Sequence, residues 1–511
     1  MKRAMRTVTS LLLVAVLGTL LGVLVLNLAP AFLYRPATAD PAPLPPAATP
    51  EVAPASATAL EPLGTGQGTL PAAAVLKKKL DAAFTTQDGG SYTADVIDLA
   101  TGEELYSRHG DQANAPASNL KILTAVAALQ HLGGERTLPT TAMLGPDDTV
   151  VLVGGGDVLL GAGTSEPDAT VSRAGLATLA QQTAAALFSS GHFEAGTSTH
   201  LQVVLDDTLF TGAALNPVWD ESLMTTSNIT AVQPLAMYGA RRDSHPTSVR
   251  VPDPAMAAAT AFRTALAAAV AAEQRRVDAA GPAEAAADGS PDAASGTATA
   301  PADAAAPRLA IDDDVLRGEA TAGAETLAVV HSAPVVDQLA FMGAESDNYV
   351  AEAMGRLAAL AAGRPGTFGG ATDTLRATAA GLGVDVEGMS LADASGLSDR
   401  NRISPRQLTA VIRAAAASPN PDLRDVSYLL PISGATGTLE HRLASTATRG
   451  EIRAKTGTLT GIATLGGTAV TADGRVLAFA FFGHGFDGSL APAREGLDRA
   501  AAVLAGCGCT P

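Results

Sequence analysis

Ser118-Asn119-Leu120-Lys121 opens an apolar-periodic run through Ile122, Leu123, Val126 and Leu129, and the reading of this stretch decides the fold. With Pro116 two residues ahead of the serine, the spacing predicts a helix that begins near Ser118. At positions i and i+3, the hydroxyl of Ser118 and the amine of Lys121 share one helical face, a turn apart. A serine hydroxyl is a poor nucleophile at neutral pH and needs an adjacent base; a desolvated lysine supplies one without a histidine. A helix N-terminus also offers free backbone N–H groups where an oxyanion would form. Taken alone, the four residues are short enough to arise by accident, and Ser118 reads equally well as an N-cap.

Lysine usage gives Lys121 more weight. Of the 34 Lys and Arg residues only six are lysine: Lys2, Lys77, Lys78, Lys79, Lys121 and Lys455. Arginine does not lose its proton in a protein, whereas a buried lysine can become a neutral base. The two late lysines are therefore candidates for work that arginine cannot do, with chance retention as the rival explanation. Lys455 opens Lys455-Thr456-Gly457-Thr458 on a predicted strand. There a glycine admits close approach of a ligand backbone, and the lysine and threonines can hold a carboxylate. The bland alternative is an edge strand blunted by lysine. A third cluster, Ser346-Asp347-Asn348, lies between two predicted helices. Serine can relay a proton there, and asparagine can both donate and accept toward a peptide; the same cluster also suits an ordinary helix start.

Around these motifs, Ser91 to Asp98 alternates as a strand, Ala100-Thr101-Gly102 turns, and Glu104 to Ser107 returns as a hairpin. Near the other end, Ile452 to Thr458, Ile462 to Val470 and Val476 to Phe482 read as strands of an antiparallel meander, and Pro492 opens a closing helix to about Ala505. The sheet expected from these halves is split far apart in sequence. Residues 76–133 and 323–505 form its two parts, the second beginning with a strand at Leu327 to Val330, and 134–322 is an inserted region. Within the insertion, residues 279–307 are Ala, Pro, Gly, Asp and Glu and read as a disordered surface loop. Residues 29–75 read as a Pro/Ala-rich linker, including Pro41-Ala42-Pro43-Leu44-Pro45-Pro46.

Lys2, Arg3 and Arg6 precede an apolar run from Val8 to Leu28, which fits a membrane-spanning anchor better than the shorter centre of a cleaved signal. Basic residues stay cytoplasmic, so the rest of the chain is expected outside, either anchored or secreted. Cys507 and Cys509 stand in the tail 506–511; a bridge between residues two apart would be strained, and neither receives a role.

A net charge of −17 argues against nucleic-acid binding, which needs a basic surface. The chain contains no G-x-S-x-G, H-E-x-x-H or G-x-x-x-x-G-K-[ST], so lipase-type, zincin and P-loop readings lose their signatures. None of the eight histidines lies at metal-ligand spacing, which favours a solvated or core role for each.

S-x-x-K, S-D-N and K-T-G in this order resemble the motif set of penicillin-binding proteins and class A β-lactamases. More narrowly, the chain resembles the D-Ala-D-Ala carboxypeptidase/endopeptidase family, the class C low-molecular-mass penicillin-binding proteins. The narrower match rests on the long insertion between Ser118 and Ser346 and on Asp393-Ala394-Ser395-Gly396-Leu397-Ser398 with Asn401-Arg402-Ile403-Ser404-Pro405. Leu430-Pro431 with Gly437-Thr438-Leu439 and Arg442 also matches, whereas Gly154-Gly155-Gly156-Asp157-Val158 departs from the family's G-D-P-T-L.

The resemblance implies an α+β fold: a penicillin-binding, β-lactamase/transpeptidase-like domain whose antiparallel sheet has helices on both sides, interrupted by a large insertion. It further implies that Ser118 attacks the penultimate D-alanine carbonyl of a peptidoglycan stem peptide while Lys121 takes its proton. Ser346 would pass a proton to the leaving amine, Asn348 would steady the acyl side chain, and Lys455, Thr456, Gly457 and Thr458 would bind substrate. By the same resemblance, the N–H groups of Ser118 and Thr458 form the oxyanion hole, β-lactams are covalent inhibitors, and no metal or organic cofactor is expected. One of Asp206 or Asp207 is a candidate for a stem-peptide ammonium, with a turn role as the alternative. The rivals are a β-lactamase, for which Glu387-Gly388-Met389-Ser390-Leu391 lacks the expected asparagine, and a penicillin-binding sensor that acylates without turnover.

Overall fold

Alternate side chains of Val476–His484 enter two different cores, and this one strand organises the first of the molecule's two sheets. Leu477, Phe479 and Phe481 pack with Leu76, Leu80, Leu497 and Leu504, while Ala478, Ala480 and Phe482 pack with Leu120, Leu123, Val126, Leu408 and Ile412. A strand sends successive side chains to opposite faces, so a nearly continuous apolar run is what a centre strand covered on both sides requires. Each fully buried phenylalanine there contributes on the order of 2–3 kcal/mol.

The computed structural model describes residues 68–85, 89–194, 196–280 and 307–508, within one unit spanning residues 61–511. Its main elements begin with α1 (Ala73–Ala83), β1 (Ser91–Asp98), β2 (Glu104–Arg108), α2 (Leu120–Leu132), β3 (Pro139–Gly145), β4 (Thr149–Gly154), α3 (Leu176–Ser189), β5 (Ser198–Asp206) and α4 (Pro254–Ala280). They continue with β6 (Arg308–Arg317), β7 (Glu325–His331), α5 (Val335–Glu345), α6 (Asn348–Ala361), α7 (Phe368–Gly381), α8 (Pro405–Ala416), β8 (Ile452–Leu459), β9 (Ile462–Val470), β10 (Val476–His484) and α9 (Ala491–Ala505). The apolar run over Val8–Leu28, most of the linker 29–75 and residues 281–306 of the expected loop lie outside the described residues.

The first sheet has the order β2-β1-β10-β9-β8 and is antiparallel throughout. The N-terminal hairpin joins the C-terminal meander where β1 pairs with β10, from Ser91↔His484 to Asp98↔Leu477. Helices α1 and α9 cover one face, and α2 and α8 cover the other, with α6 packed on α2. The edge strand is β8, which carries Lys455 to Thr458.

A second five-stranded sheet, β6-β5-β4-β3-β7, belongs to the inserted region. Parallel β4, β5 and β6 are joined through α3 and α4, as parallel neighbours need a crossover, while β3 pairs antiparallel with both β4 and β7. Here the structure corrects the expected boundary. The strand at Leu327–Val330 is part of β7, which pairs with β3 from Pro139↔His331 onward, so the insertion ends after His331 and not at 322. Alternation in a sequence marks a strand but not the sheet it joins.

Pro254–Ala279 is apolar and long enough to cross a membrane by composition, but it buries Ala255, Ala258, Ala259, Phe262, Leu266 and Val270 among side chains from β4, β5 and α3. It is the cover of the second sheet. In the tail, where neither cysteine receives a role from the sequence, Cys507 is fully buried and disulfide-bonded, and Cys509 lies outside the described residues.

Candidate active site

Pro116 to Asn119 enters α2 through a tight turn rather than a capped helix start. Ala117 holds a left-handed φ of 47°, and Ala117–Asn119 forms a single 3₁₀ turn before α2 proper. Non-glycine residues in that region are strained and are held there by their surroundings. The surroundings are β8, β9 and the loop after α7. Thr464 Oγ1 donates to Pro116 O at 2.9 Å, and the Asn119 amide, in its satisfied orientation, donates to Lys455 O and accepts from Leu465 N at 3.2 Å. Gly457 lies so close to this turn that a Cβ there would come within 2.9 Å of Ala117 Cβ. Gly396, with φ +81°, presses on the Ala117 carbonyl from the other side, where a side chain has no room.

Ser118 caps nothing. Its Oγ accepts from Lys121 Nζ at 2.9 Å. The same ammonium donates to Asn348 Oδ1 at 2.8 Å and to Ser395 O at 2.7 Å, which uses all three of its protons. Lys121 is 1% exposed. Burial pushes its amine down to about 8 from the ordinary 10.5, against the opposing charges of Asp393, Asp347 and Glu352. A lysine with that value has an appreciable neutral fraction near neutral pH and can accept the Ser118 proton.

Lys455 sits at 0% exposure beside it. Burial, then the neighbouring Lys121 and Arg442 charges, push its amine well below the lysine range. Its Nζ donates to Thr456 O at 3.1 Å. Thr456 Oγ1 donates to Thr438 Oγ1 at 2.9 Å, which seats the Gly437-Thr438-Leu439 turn against β8. Thr458 is exposed near the end of β8, and its Oγ1 accepts from Arg494 at 3.4 Å. The segment at Pro431–Ile432 covers the edge of β8 at Arg453 and Ala454.

Ser346 ends α5 at a left-handed φ of 55°, and Asp347 then caps α6 by accepting from Val350 N. Asn348, the first residue of α6, is thereby turned toward Lys121. Ser118, Lys121 and Asn348 thus form one hydrogen-bonded chain. Ser346 is half-buried, and among the described residues its hydroxyl bonds to neither lysine; it lines a cleft of about 360 Å³ with Asn228, Arg241, Ser248, Arg250 and Asn348.

Several supporting residues receive no role from the sequence, although Asp393–Ser398 and Asn401–Pro405 stand out there as motifs. Ser395 turns its carbonyl to Lys121 because Glu352 Oε1 accepts from both Ala394 N (3.1 Å) and Ser395 N (2.8 Å). Asp393 gathers the rest of that loop, accepting from Gly396 N, Ser398 N, Asn401 Nδ2 and Trp219 Nε1 at 2.6–3.0 Å. Ser404 completes the block as N-cap of α8, in a capping box with Gln407 behind Pro405. The one signal for Glu352 is its place four residues after Asn348, a carboxylate in a helix whose one other charged residue is Arg356. Burial and the adjacent Asp393 push that carboxyl well above the usual range.

Other candidates resolve as local structure. Asp206 accepts from Thr208 and from Ala320 N, a turn role, and Asp207 pairs with Arg317 at 3.2 Å. Asp157 is 1% exposed and accepts from Leu159 N at 2.9 Å, with burial raising its carboxyl to about 7. Among the described residues no cluster of three His, Cys, Asp or Glu side chains could hold a metal.

The model of the D-Ala-D-Ala carboxypeptidase 3 (S13) family matches residues 76–504. A carboxypeptidase of Mycobacterium tuberculosis is 34% identical over 483 residues, covering 92% of this chain and 90% of that one. A D-alanyl-D-alanine carboxypeptidase of Actinomadura is 29% identical over 77% of each chain. The crystal structure of penicillin-binding protein 4 from Haemophilus influenzae superposes with a TM-score of 0.60 at 19% identity, covering 83% of this chain and 97% of that one. The chain belongs to the D-Ala-D-Ala carboxypeptidase 3 (S13) family and is a serine-type D-Ala-D-Ala carboxypeptidase.

Proposed function

We propose that Ser118 is the nucleophile and Lys121 the base of an acyl-enzyme cycle on peptidoglycan stem peptides. The observation that carries this reading is the 2.9 Å contact between Ser118 Oγ and the Nζ of a fully buried lysine whose amine is depressed to about 8. The neutral amine takes the hydroxyl proton as Oγ adds to the penultimate D-alanine carbonyl. The proton then goes to the departing D-alanine nitrogen through Ser346, which lines the cleft next to Asn348 in the same turn. Asn348 holds the acyl side chain by its amide. Lys455, Thr456, Gly457 and Thr458 receive the terminal carboxylate and backbone along the β8 edge, with the N–H groups of Ser118 and Thr458 facing the oxyanion. Water cleaves the ester, and Lys121 again serves as base.

The same site would cut D-Ala-linked cross-bridges as well as trim termini, and a β-lactam would acylate Ser118. A β-lactam complex exists for the Haemophilus penicillin-binding protein 4. The substrate places the enzyme outside the cytoplasm, in line with Lys2, Arg3 and Arg6 ahead of the apolar run Val8–Leu28 as an N-terminal anchor or signal.

Incubation with a fluorescent penicillin and with a purified pentapeptide muropeptide tests the reading. A slowly released adduct on Ser118 and liberated D-alanine are expected, and Ser118→Ala removes both. Rapid release of the adduct would indicate a β-lactamase, and labelling without D-alanine release would indicate a sensor. Retained labelling of Ser118→Ala would assign the wrong nucleophile.

A further inference from the structure

The inserted region touches the reaction centre through two guanidinium groups. Arg241 Nη1 and Arg250 Nη2 both donate to Asp347 Oδ2, at 2.7 and 3.0 Å. The other oxygen of Asp347 caps α6 by accepting from Val350 N at 3.0 Å. These ions are withdrawn from solvent: the side chains of Asp347, Arg250 and Arg241 are 0%, 4% and 15% exposed. Arg250 is itself fixed, since it donates to Gly239 O and to Ser227 O and lies over the Tyr349 ring. One residue on from Asp347, the Asn348 amide is held at both ends, by Lys121 Nζ on Oδ1 and by Asn228 O, 3.0 Å from Nδ2. Residues 227–250 of the insertion therefore hold the Ser346-Asp347-Asn348 turn from outside.

We propose that Arg241 and Arg250 are positioning residues of the reaction, clamping Asp347 so that Asn348 meets Lys121, and balancing the Asp347 charge next to the base. The inference rests on the assignment of Ser118 and Lys121 given above. It makes the insertion a working wall of the active site.

Two consequences separate this from a merely structural contact. First, Asp347 carries a full negative charge. Burial alone would raise its carboxyl, but Arg250 and then Arg241 outweigh that and hold it near about 2. Second, the charged groups that act on Lys121 are Asp393, Asp347 and Glu352, which favour its ammonium, and Arg250, which disfavours it; the neighbouring Lys455 amine is itself pushed well below the lysine range. Loss of the Arg250 charge leaves Asp347 less compensated. The neutral form of Lys121 becomes harder to reach, and the acidic limb of the acylation profile moves to higher pH.

The experiment measures the second-order rate of penicillin acylation against pH, with a melting curve for each variant. Arg250→Gln is expected to shift the acidic limb upward and to slow acylation at pH 7 roughly tenfold or more, the scale of a small misplacement at a reacting centre. Raising the pH should recover part of that loss. Arg250→Lys retains the charge but not the forked geometry, so its limb should stay in place while its plateau falls. A folded Arg250→Gln with the wild-type limb and plateau overturns the proposal. If Arg250→Gln fails to fold, Arg241→Gln decides: an upward shift of the limb supports the clamp, and an unchanged profile overturns it. Ser118→Ala separates the two claims, because surviving label there removes the underlying assignment, whereas lost label with an unaltered Arg250→Gln profile removes only the clamp.

Discussion

The two five-stranded sheets carry their charges in opposite ways. Around the catalytic sheet Lys121, Lys455, Asp347, Glu352, Asp393 and Arg356 are buried to within 2% of full burial. In the inserted sheet the ion pairs sit at the rim: His200 with Asp312 at 70% and 40% side-chain exposure, Arg317 with Asp253 at 42% and 44%, and Arg263 with a 99% exposed Asp313. Within the insertion Asp157 is buried as well, and Arg250 is buried where it meets the Asp347 loop. Ions withdrawn from water shift their pKa values and become reagents; ions at a rim are screened and do little beyond solubility. The difference sets apart the half of the chain that holds the proposed reaction centre.

Substitutions can break or sharpen that contrast. The largest effect is expected at Asp393. Asp393→Ala leaves Asn401, Trp219 and two backbone N–H groups without their acceptor and should cost about 3–5 kcal/mol in denaturant unfolding, the scale for removing one partner of a buried charged network. A cost below about 1 kcal/mol would mean that water replaces the carboxylate and that burial is not what sets its worth.

Glu352→Gln should change the sign of its effect with pH. The folded carboxyl is raised above its unfolded value, so the native state binds more protons between the two values and loses stability as pH rises through that window. Glutamine keeps an acceptor for the Ala394 and Ser395 N–H groups without the charge. Melting curves should therefore show Glu352→Gln gaining on wild type as pH rises from about 5 to 8, by about 1 kcal/mol or more. A constant difference across that range would contradict a carboxyl raised by burial at Glu352.

The smallest effect is expected in the second sheet. Arg317→Ala removes contacts to both Asp207 and Asp253, yet these exposed pairs should yield no more than about 1 kcal/mol and should weaken further in high salt. A larger, salt-insensitive loss would show that the inserted sheet also depends on its ions.

The parts of this arrangement readable in the sequence were those written at fixed spacing. Ser118 and Lys121 are one helical turn apart and Lys455-Thr456-Gly457 lies on a predicted strand, each weak alone, and their order with Ser346-Asp347-Asn348 gave them weight. The hairpin and the meander were visible from residue type and period. Partners drawn from distant segments left no such mark. Arg241 and Arg250 look like any other arginines in a chain that prefers arginine, and only folding brings them to Asp347. Ser395 acts through its backbone carbonyl, which no side-chain pattern records. The strand at β7 was legible as a strand, but its pairing with β3 is a property of the sheet edge.

The most direct test of the account concerns Lys121 as a neutral base. Arginine at this position keeps the positive charge and the donors to Asn348 and Ser395 but has no accessible neutral form. Penicillin acylation of the wild type should rise through an apparent pKa near about 8, and Lys121→Arg should lose about 10²–10⁴-fold at every pH while remaining folded. Acylation of Lys121→Arg at the wild-type rate, or a wild-type rate that does not rise with pH across that range, would contradict it.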